Sequence, residues 1–397
     1  MADNDRMNII LKTGLAFGLI SFCLLILQVI LTCRFKPLER IFGLDRLTNF
    51  HKQLGITIGL LLTSHVIIML SLIRISNFAV HMGQLAYGIL FVTVVFALSF
   101  EAFGMDYNIW RTSHKTAPLI VFAAFMHSYI IGPDLQSVEM KILWWGLLSL
   151  AVIAISYRNF YIPLFVRKKY IIKSIEQVTH NTFTLTYLPE KGKRFDYKPG
   201  QFLFLKLKRP GRKSETHPFT ISSSLTQGDF LQNTIKQSGN YTNTINQTVT
   251  SDKAVIEGPY GRFSFLYTQS KSLLFIAGGV GITPIMSMVR YLRDKNDKRQ
   301  VVLLYGNRDV NDIIFKKELE SLPENFKIVH ILSDAGENWQ GLKGHITKDI
   351  IEENAKTILV ETDVFLCGPP VMMQKIVSYL KELKIPSSRI HYERFSI

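Results

Sequence analysis

The chain has 397 residues, 47% of them hydrophobic, with 46 Lys and Arg against 31 Asp and Glu and only 3 cysteines. That length suits two or three domains, so few cysteines exclude a disulfide framework, and no basic stripe alternates with aromatics as nucleic-acid recognition requires. The apolar residues are concentrated in the first part of the chain. Five long spans lie at roughly 9–31, 52–73, 84–103, 116–132 and 142–157, near the ~20 residues a helix needs to cross a ~30 Å hydrocarbon core. The start MADNDR is acidic and no small-residue cleavage site follows the first span, so a cleaved leader is not expected.

The positive residues set an orientation. Arg34, Lys36, Arg40, Arg46 and Lys52 lie between spans one and two, Arg111 and Lys115 between three and four, and Arg158, Arg167, Lys168 and Lys169 after span five. The opposite loops hold Arg74 and Lys141, with Arg6 at the N-terminus. By the positive-inside rule the N-terminus is outside and the C-terminal part cytoplasmic, in a plasma or inner membrane. That later part carries 34 basic against 23 acidic residues, whereas residues 1–166 carry 12 against 8. A basic soluble part suits anionic headgroups or an anionic dinucleotide.

Four histidines fall in or beside the apolar spans. His51 and His65 are 14 residues apart, about 21 Å along a helix and ~40° short of four turns, so both can face one side. His114 and His127 are 13 apart, about 19.5 Å, but ~140° out of register on an ideal helix. Pro118 would disturb the first turn and free His114 to adjust. Side by side, such helices set His51 opposite His114 and His65 opposite His127, each pair able to ligate one b-type haem. No CxxCH occurs, so the haem would be held without thioether bonds. The alternative is four unrelated histidines bonded to helix backbones. Arg46, Lys52, Arg111 and Lys115 either pair with haem propionates or reflect orientation alone. His81 and Arg74 are either solvated or at the mouth of the outer site.

After about residue 167 the pattern becomes that of a soluble protein. From ~170 to ~267, short alternating segments bounded by Pro199-Gly200 and Pro210-Gly211 predict a small antiparallel barrel. Within it His217-Pro218-Phe219-Thr220-Ile221-Ser222 offers an aromatic surface and hydroxyls to a planar ring. Gly239 to Thr242 and Gly258 to Gly261 let backbone amides approach a pyrophosphate. From ~271 the period turns to parallel α/β. SLLFIAGGVGITPIMSMVRYL reads as strand, glycine turn (Gly278, Gly279, Gly281) and a helix through Thr283 and Pro284 whose N-terminus favours an anion. It lacks the GxGxxG spacing of the usual dinucleotide fingerprint. Three further strands follow: VVLLYGNRD, placing Arg308 to meet a ribose 2′-phosphate; KIVHILSD; and TDVFLC, which leads through Cys367-Gly368-Pro369 into a helix. Cys367 stands either beside a bound ligand or as a buried structural thiol.

HPFTISS, GPYG, GGVGITP, CGP and YERF, in this order behind a four-histidine membrane region, resemble the NADPH oxidase and transmembrane ferric reductase family, from about residue 40 to the end. The resemblance implies three domains: 1–166, a five-helix transmembrane bihaem bundle; 167–268, an FAD-binding barrel; and 269–397, an NADPH-binding α/β domain. It implies that His217 to Ser222, with Thr242 and Gly258, hold FAD. Gly279, Gly281, Thr283, Pro284, Arg308, Gly368 and Pro369 would hold the dinucleotide. Cys367 would lie by the nicotinamide, and Phe395 would cover the isoalloxazine until the nicotinamide displaces it. Two departures stand out: five spans where many relatives have six, and Ser396 and Ile397 following Phe395. No D-x-D-x-DG loop occurs, so calcium control is not expected, and without a long regulatory extension no obligatory protein activator is expected either.

The expected activity is electron transfer from NADPH through FAD and two haems to oxygen, giving superoxide. Outer carboxylates are few (Asp3, Asp5, Asp134 and Glu139), which favours oxygen over the alternatives, a ferric or cupric chelate or an extracytoplasmic protein partner. A haem sensor or inert anchor would have no need of nicotinamide motifs.

Overall fold

The computed structural model describes residues 2–73, 75–99, 114–212 and 214–393 and divides into two compact units, Met1–Leu164 and Phe165–Ile397. Arg74, Arg111 and Phe395, with the final Ser396 and Ile397, lie outside the described residues.

The first unit is helical: α1 (Ala2–Thr32), α2 (Lys36–Phe42), α3 (Leu44–Leu72), α4 (Phe78–Ser99), α5 (Ala117–Ile131) and α6 (Val138–Ser156), which runs on as a π-helix over Tyr157–Val166. Among the described residues four helices are long and apolar enough to cross a membrane: Asp5–Thr32, Leu44–Leu72, Phe78–Ser99 and Val138–Val166. The remaining expected span, 116–132, coincides with α5 to within a residue at each end. Pro118 stands in the first turn of α5 and Gly132 ends it, leaving 15 residues, about 22 Å of helix.

Helices α1, α3, α4 and α5 share a core that includes Leu25, Leu47, Leu54, Ile58, Leu90 and Ile120, while α1, α5 and α6 meet around Phe22, Phe125 and Trp144. The outward side chains are equally apolar: Leu60, Ile67, Leu98, Ile142 and Ile153 are 62–68% exposed. Such a surface is suited to lipid rather than water. Hydroxyls within it are satisfied locally. Thr57, Thr63, Ser64, Thr93, Ser128 and Ser149 each donate to the carbonyl one turn back, as the absence of water in hydrocarbon demands.

The second unit opens with an antiparallel sheet of β1 (Lys168–Thr179), β2 (Thr182–Pro189), β3 (Phe202–Lys208), β4 (Thr216–Thr220), β5 (Leu231–Lys236) and β6 (Lys253–Tyr260), in the order β4-β3-β6-β1-β2-β5. The two edges come together. The Asn233 amide on β5 donates to the Thr220 carbonyl at 2.6 Å, and the Ser222 N–H reaches the Gln232 carbonyl at 2.8 Å. Tyr170, Tyr187, Leu203, Leu205, Ile221 and Ile256 fill the interior. Gly200 turns at φ +92°, and a Cβ there would strike the Phe263 carbonyl.

A parallel sheet follows: β7 (Ser272–Gly278), α7 (Ile282–Asp294), β8 (Gln300–Asn307), α8 (Lys316–Glu320), β9 (Phe326–Leu332), β10 (Leu342–Lys343), α9 (Lys348–Ala355), β11 (Thr362–Cys367), α10 (Pro370–Glu382) and β12 (Ile390–Glu393). Its order, β10-β9-β8-β7-β11-β12, reverses beside β7, which with β11 is buried along its whole length, as central parallel strands are.

Helix α7 also bonds to the barrel. Arg290, 6% exposed, donates Nη1 to the Ser222 carbonyl at 2.8 Å and, through Nε and Nη2, grips Glu318 at 2.9 and 2.6 Å. Ser287 Oγ donates to the Ser223 carbonyl at 2.6 Å, and Thr226 Oγ1 to Asp294 at 2.5 Å. Burial pushes the Glu318 carboxyl up, but the Arg290 and Arg293 guanidiniums outweigh it and hold the group below the ordinary carboxylate value of 4.5. A depressed carboxylate stabilises the fold above its unfolded pKa and loses that contribution as pH falls through the folded one. Glu318→Gln should therefore cost ~1–3 kcal/mol near neutrality and flatten the acid limb below 4.5, measured by denaturant melts across pH.

Candidate functional site

The four membrane histidines form two facing pairs. The His51 and His114 ring centroids are 5.8 Å apart and those of His65 and His127 are 6.2 Å apart, with interplanar angles of 68° and 80°. Two imidazoles each ligating one iron at about 2 Å would place their centres roughly 6 Å apart. His114 lies in a 3-10 turn, His114–Thr116, ahead of α5, so the ideal-helix angle between it and His127 does not apply. His65 Nδ1 is 2.8 Å from the Gly14 carbonyl, and His127 Nδ1 is 2.9 Å from that of Ala79. A carbonyl only accepts, so each Nδ1 carries the hydrogen and each Nε2 keeps its lone pair for a metal. These donor sets fit a b-type haem at each level. His81 instead contacts Gln84 at 3.1 Å and Ser76 at 3.4 Å.

In the barrel the HPFTIS segment divides by depth. His217, Pro218 and Phe219 are half-buried on β4, whereas Ile221 and Ser222 are fully buried. Ser222 Oγ bonds to Thr234 Oγ1 at 3.1 Å and its carbonyl to Arg290, so these two residues build the wall. Thr220 Oγ1 is buried with no hydrogen-bond partner among the described residues, and it fits the polar edge of a flavin. His217 stacks on Tyr241 at 4.1 Å and pairs with Glu215 at 3.0 Å. Arg209 lies over the other ring of that stack, 5.6 Å from the Tyr241 centroid. Thr242 Oγ1 accepts from the Ser238 N–H at 2.9 Å, holding the Gly239 turn, and Gly258 lies against Leu203.

The glycine turn after β7 packs backbone to backbone on the loop after β11. A Cβ on Gly278 would fall 2.5 Å from Met372 Sδ, one on Gly281 would strike the Cys367 carbonyl, and one on Gly368 would lie 3.1 Å from the Gly278 nitrogen. Gly279, at φ +52°, has open space instead. This crevice lies at the carboxyl ends of β7 and β11, where the strand order reverses and ligands bind in such sheets. Thr283 and Pro284 are buried beneath it, Thr283 Oγ1 donating to the Val280 carbonyl at 3.0 Å. Pro369 is exposed at the rim. Arg308 is exposed just beyond β8, 3.7 Å from Asp334.

Gly14, Gly18, Ala79 and Gly83 around the histidines, and Arg290 and Arg209 around the barrel groove, were not foreseen as site residues. The first four had a readable signal, small residues four apart on two helices; the others have none outside the tertiary structure.

Fold and site together define a membrane-embedded flavoprotein oxidoreductase with FAD- and nicotinamide-nucleotide-binding domains. Successive stretches match family descriptions accordingly: ferric reductase like transmembrane component over residues 17–125, FAD-binding domain over 167–264 and oxidoreductase NAD-binding domain over 275–378. The chain belongs to the NADPH oxidase and ferric reductase family, an integral membrane protein that passes electrons from NAD(P)H through FAD. It is 30% identical over 230 residues to NADH-cytochrome b5 reductase 1 of Dictyostelium discoideum, covering 56% of this chain and 80% of that protein. It is 32% identical over 228 residues to the glycine betaine monooxygenase reductase subunit of Pseudomonas aeruginosa, of whose length it spans 62%. Among solved structures, the CS-b5R domains of human Ncb5or in the NAD+ form share 27% identity at a TM-score of 0.51, over 57% of this chain and 69% of that one.

Cys367 is fully buried, its Sγ 3.6 Å from the Glu393 carbonyl. Burial, and secondarily the Glu393 charge, push its thiol well above 9.0. It should therefore resist iodoacetamide in the folded protein at neutral pH and react only after denaturation, which intact-mass analysis would show. Rapid labelling of the native protein would mean that the crevice opens.

Proposed function

We propose that the chain carries electrons from cytosolic NADPH through FAD and two b-type haems to molecular oxygen outside, releasing superoxide. The observation that carries this reading is the pair of facing imidazoles at each of two levels of one bundle, in a chain that also holds flavin and dinucleotide folds. When bound, FAD accepts a hydride and the haems pass single electrons. The residues bind and orient. His51 with His114, and His65 with His127, present ring nitrogens to metal. Thr220 and the half-buried face of β4 hold the flavin edge, with Thr242 and Gly258 at the phosphates. Gly279 and the start of α7 receive the dinucleotide phosphates, while Gly281, Gly368 and Pro369 shape the crevice. Cys367, kept as a neutral thiol, lies where the nicotinamide would sit, and Phe395 would cover the flavin between turnovers.

Arg308, exposed beside Asp334, would meet a 2′-phosphate and so supports NADPH, although the NADH-cytochrome b5 reductases among its relatives favour NADH. The ferric reductase match over 17–125 likewise supports a second reading, in which a ferric chelate is the acceptor.

Anaerobic reduction of the purified, FAD-loaded protein by NADPH should bleach both haems from their oxidised spectrum, and air should restore it with superoxide formed. Haem that stays reduced in air but is oxidised by ferric chelate would transfer the reading to a metalloreductase. Haem that never reduces would break the proposed route. Arg308→Gln should raise KM for NADPH and leave that for NADH unchanged; equal effects on both would remove the 2′-phosphate assignment.

A further inference from the structure

The two imidazoles of the His65/His127 pair are seated in the same way on different helices. On α1 the Gly14 carbonyl meets His65 Nδ1 at 2.8 Å, and a Cβ on Gly18 would come within 2.9 Å of the ring. On α4 the Ala79 carbonyl meets His127 Nδ1 at 2.9 Å, and a Cβ on Gly83 would come within 2.5 Å of the ring. In each seat the acceptor and the steric gap are four residues apart, one above the other on a single helix face. The gap admits the ring close enough for the bond to form, and the bond then fixes which nitrogen is bare. His51 is seated differently. His51 Nδ1 closes no hydrogen bond, although the Gln28 backbone lies beside it.

We propose that Gly14 with Gly18, and Ala79 with Gly83, are positioning elements that lock the tautomer and ring plane of His65 and His127 and lower the potential of the haem they hold. The inference rests on reading both pairs as haem ligands. An imidazole that donates its Nδ1 hydrogen to a carbonyl becomes a stronger electron donor through Nε2. A stronger axial donor stabilises ferric over ferrous iron, so the bonds to the Gly14 and Ala79 carbonyls lower the potential of the haem that His65 and His127 would hold. Substituting either glycine with alanine favours the helix but pushes the imidazole off its carbonyl.

The test is a redox titration of the haem-loaded protein, with electron paramagnetic resonance of the oxidised form. Gly18→Ala and Gly83→Ala should each shift one of two midpoint potentials upward and alter the low-spin signal of that same haem, leaving the other in place. Gly88→Ala, also on α4, where a Cβ meets nothing within 4 Å, should move neither. Leucic acid in place of Leu15 turns the Gly14 carbonyl into a weaker-accepting ester without added bulk. It should give the same upward shift, and it decides the matter if the alanine variants do not fold. Unmoved potentials in the glycine variants or the ester, or both potentials moving together, would overturn the positioning role while two haems per chain remained. A parent protein lacking two haems per chain would overturn the haem reading and this inference with it.

Discussion

A polar ring inside hydrocarbon has no water to turn to, and much of the membrane unit follows from that. Histidines at such depth need partners from neighbouring backbones, and helix carbonyls are already engaged one turn ahead. A carbonyl can accept a second bond through its other lone pair, but only where a neighbouring helix comes close enough. That closeness dictates small residues on the facing helix. Antiparallel neighbours α1 and α3 meet at both levels, through the ring at one and the backbone at the other. Gly14 meets His65, and the Gln28 amide meets the His51 carbonyl at 3.1 Å. The contacts are 14 residues apart on each helix, so one stagger serves both levels. The lipid-facing side chains only have to be apolar, and they are.

The soluble unit depends on a different constraint, a guanidinium removed from water. Arg290 is tolerated in the interior because Glu318 neutralises it and the Ser222 carbonyl and the Gln232 side chain take its remaining donors. Its position ties the helix that starts at the glycine turn to the loop that follows β4. Whatever acts on the start of α7 acts on a helix already bonded to the barrel.

Legibility in the sequence was uneven for physical reasons. Strands β7, β8 and β11 were visible as apolar runs bounded by turn residues, and β9 as such a run broken by Lys327 and His330. β10 has two residues and β12 reads Ile-His-Tyr-Glu, with only Ile390 fully buried, so neither carries a period. The span 116–132 was legible to within a residue at each end, because Pro118 and Gly132 start and stop the helix. The histidine pairing was legible from spacing, with His114 escaping the ideal angle as the proline suggested. HPFTIS falls on β4 and the turn after it, but a run of letters does not say that Ile221 and Ser222 turn inward. Arg290 was invisible: an arginine on an amphipathic helix looks solvated until the partner that buries it is known.

The brevity of α5 has a consequence for the bilayer. A 15-residue helix falls short of the ~30 Å core, and a lipid matrix meets such mismatch by thinning or by drawing flanking polar groups inward. His127 lies four residues from the Ile131 end of α5, about 6 Å along the axis. The polar boundary is thereby brought down toward this imidazole. A short helix here sets a buried ring within reach of the headgroup region without any break in the apolar wall around it.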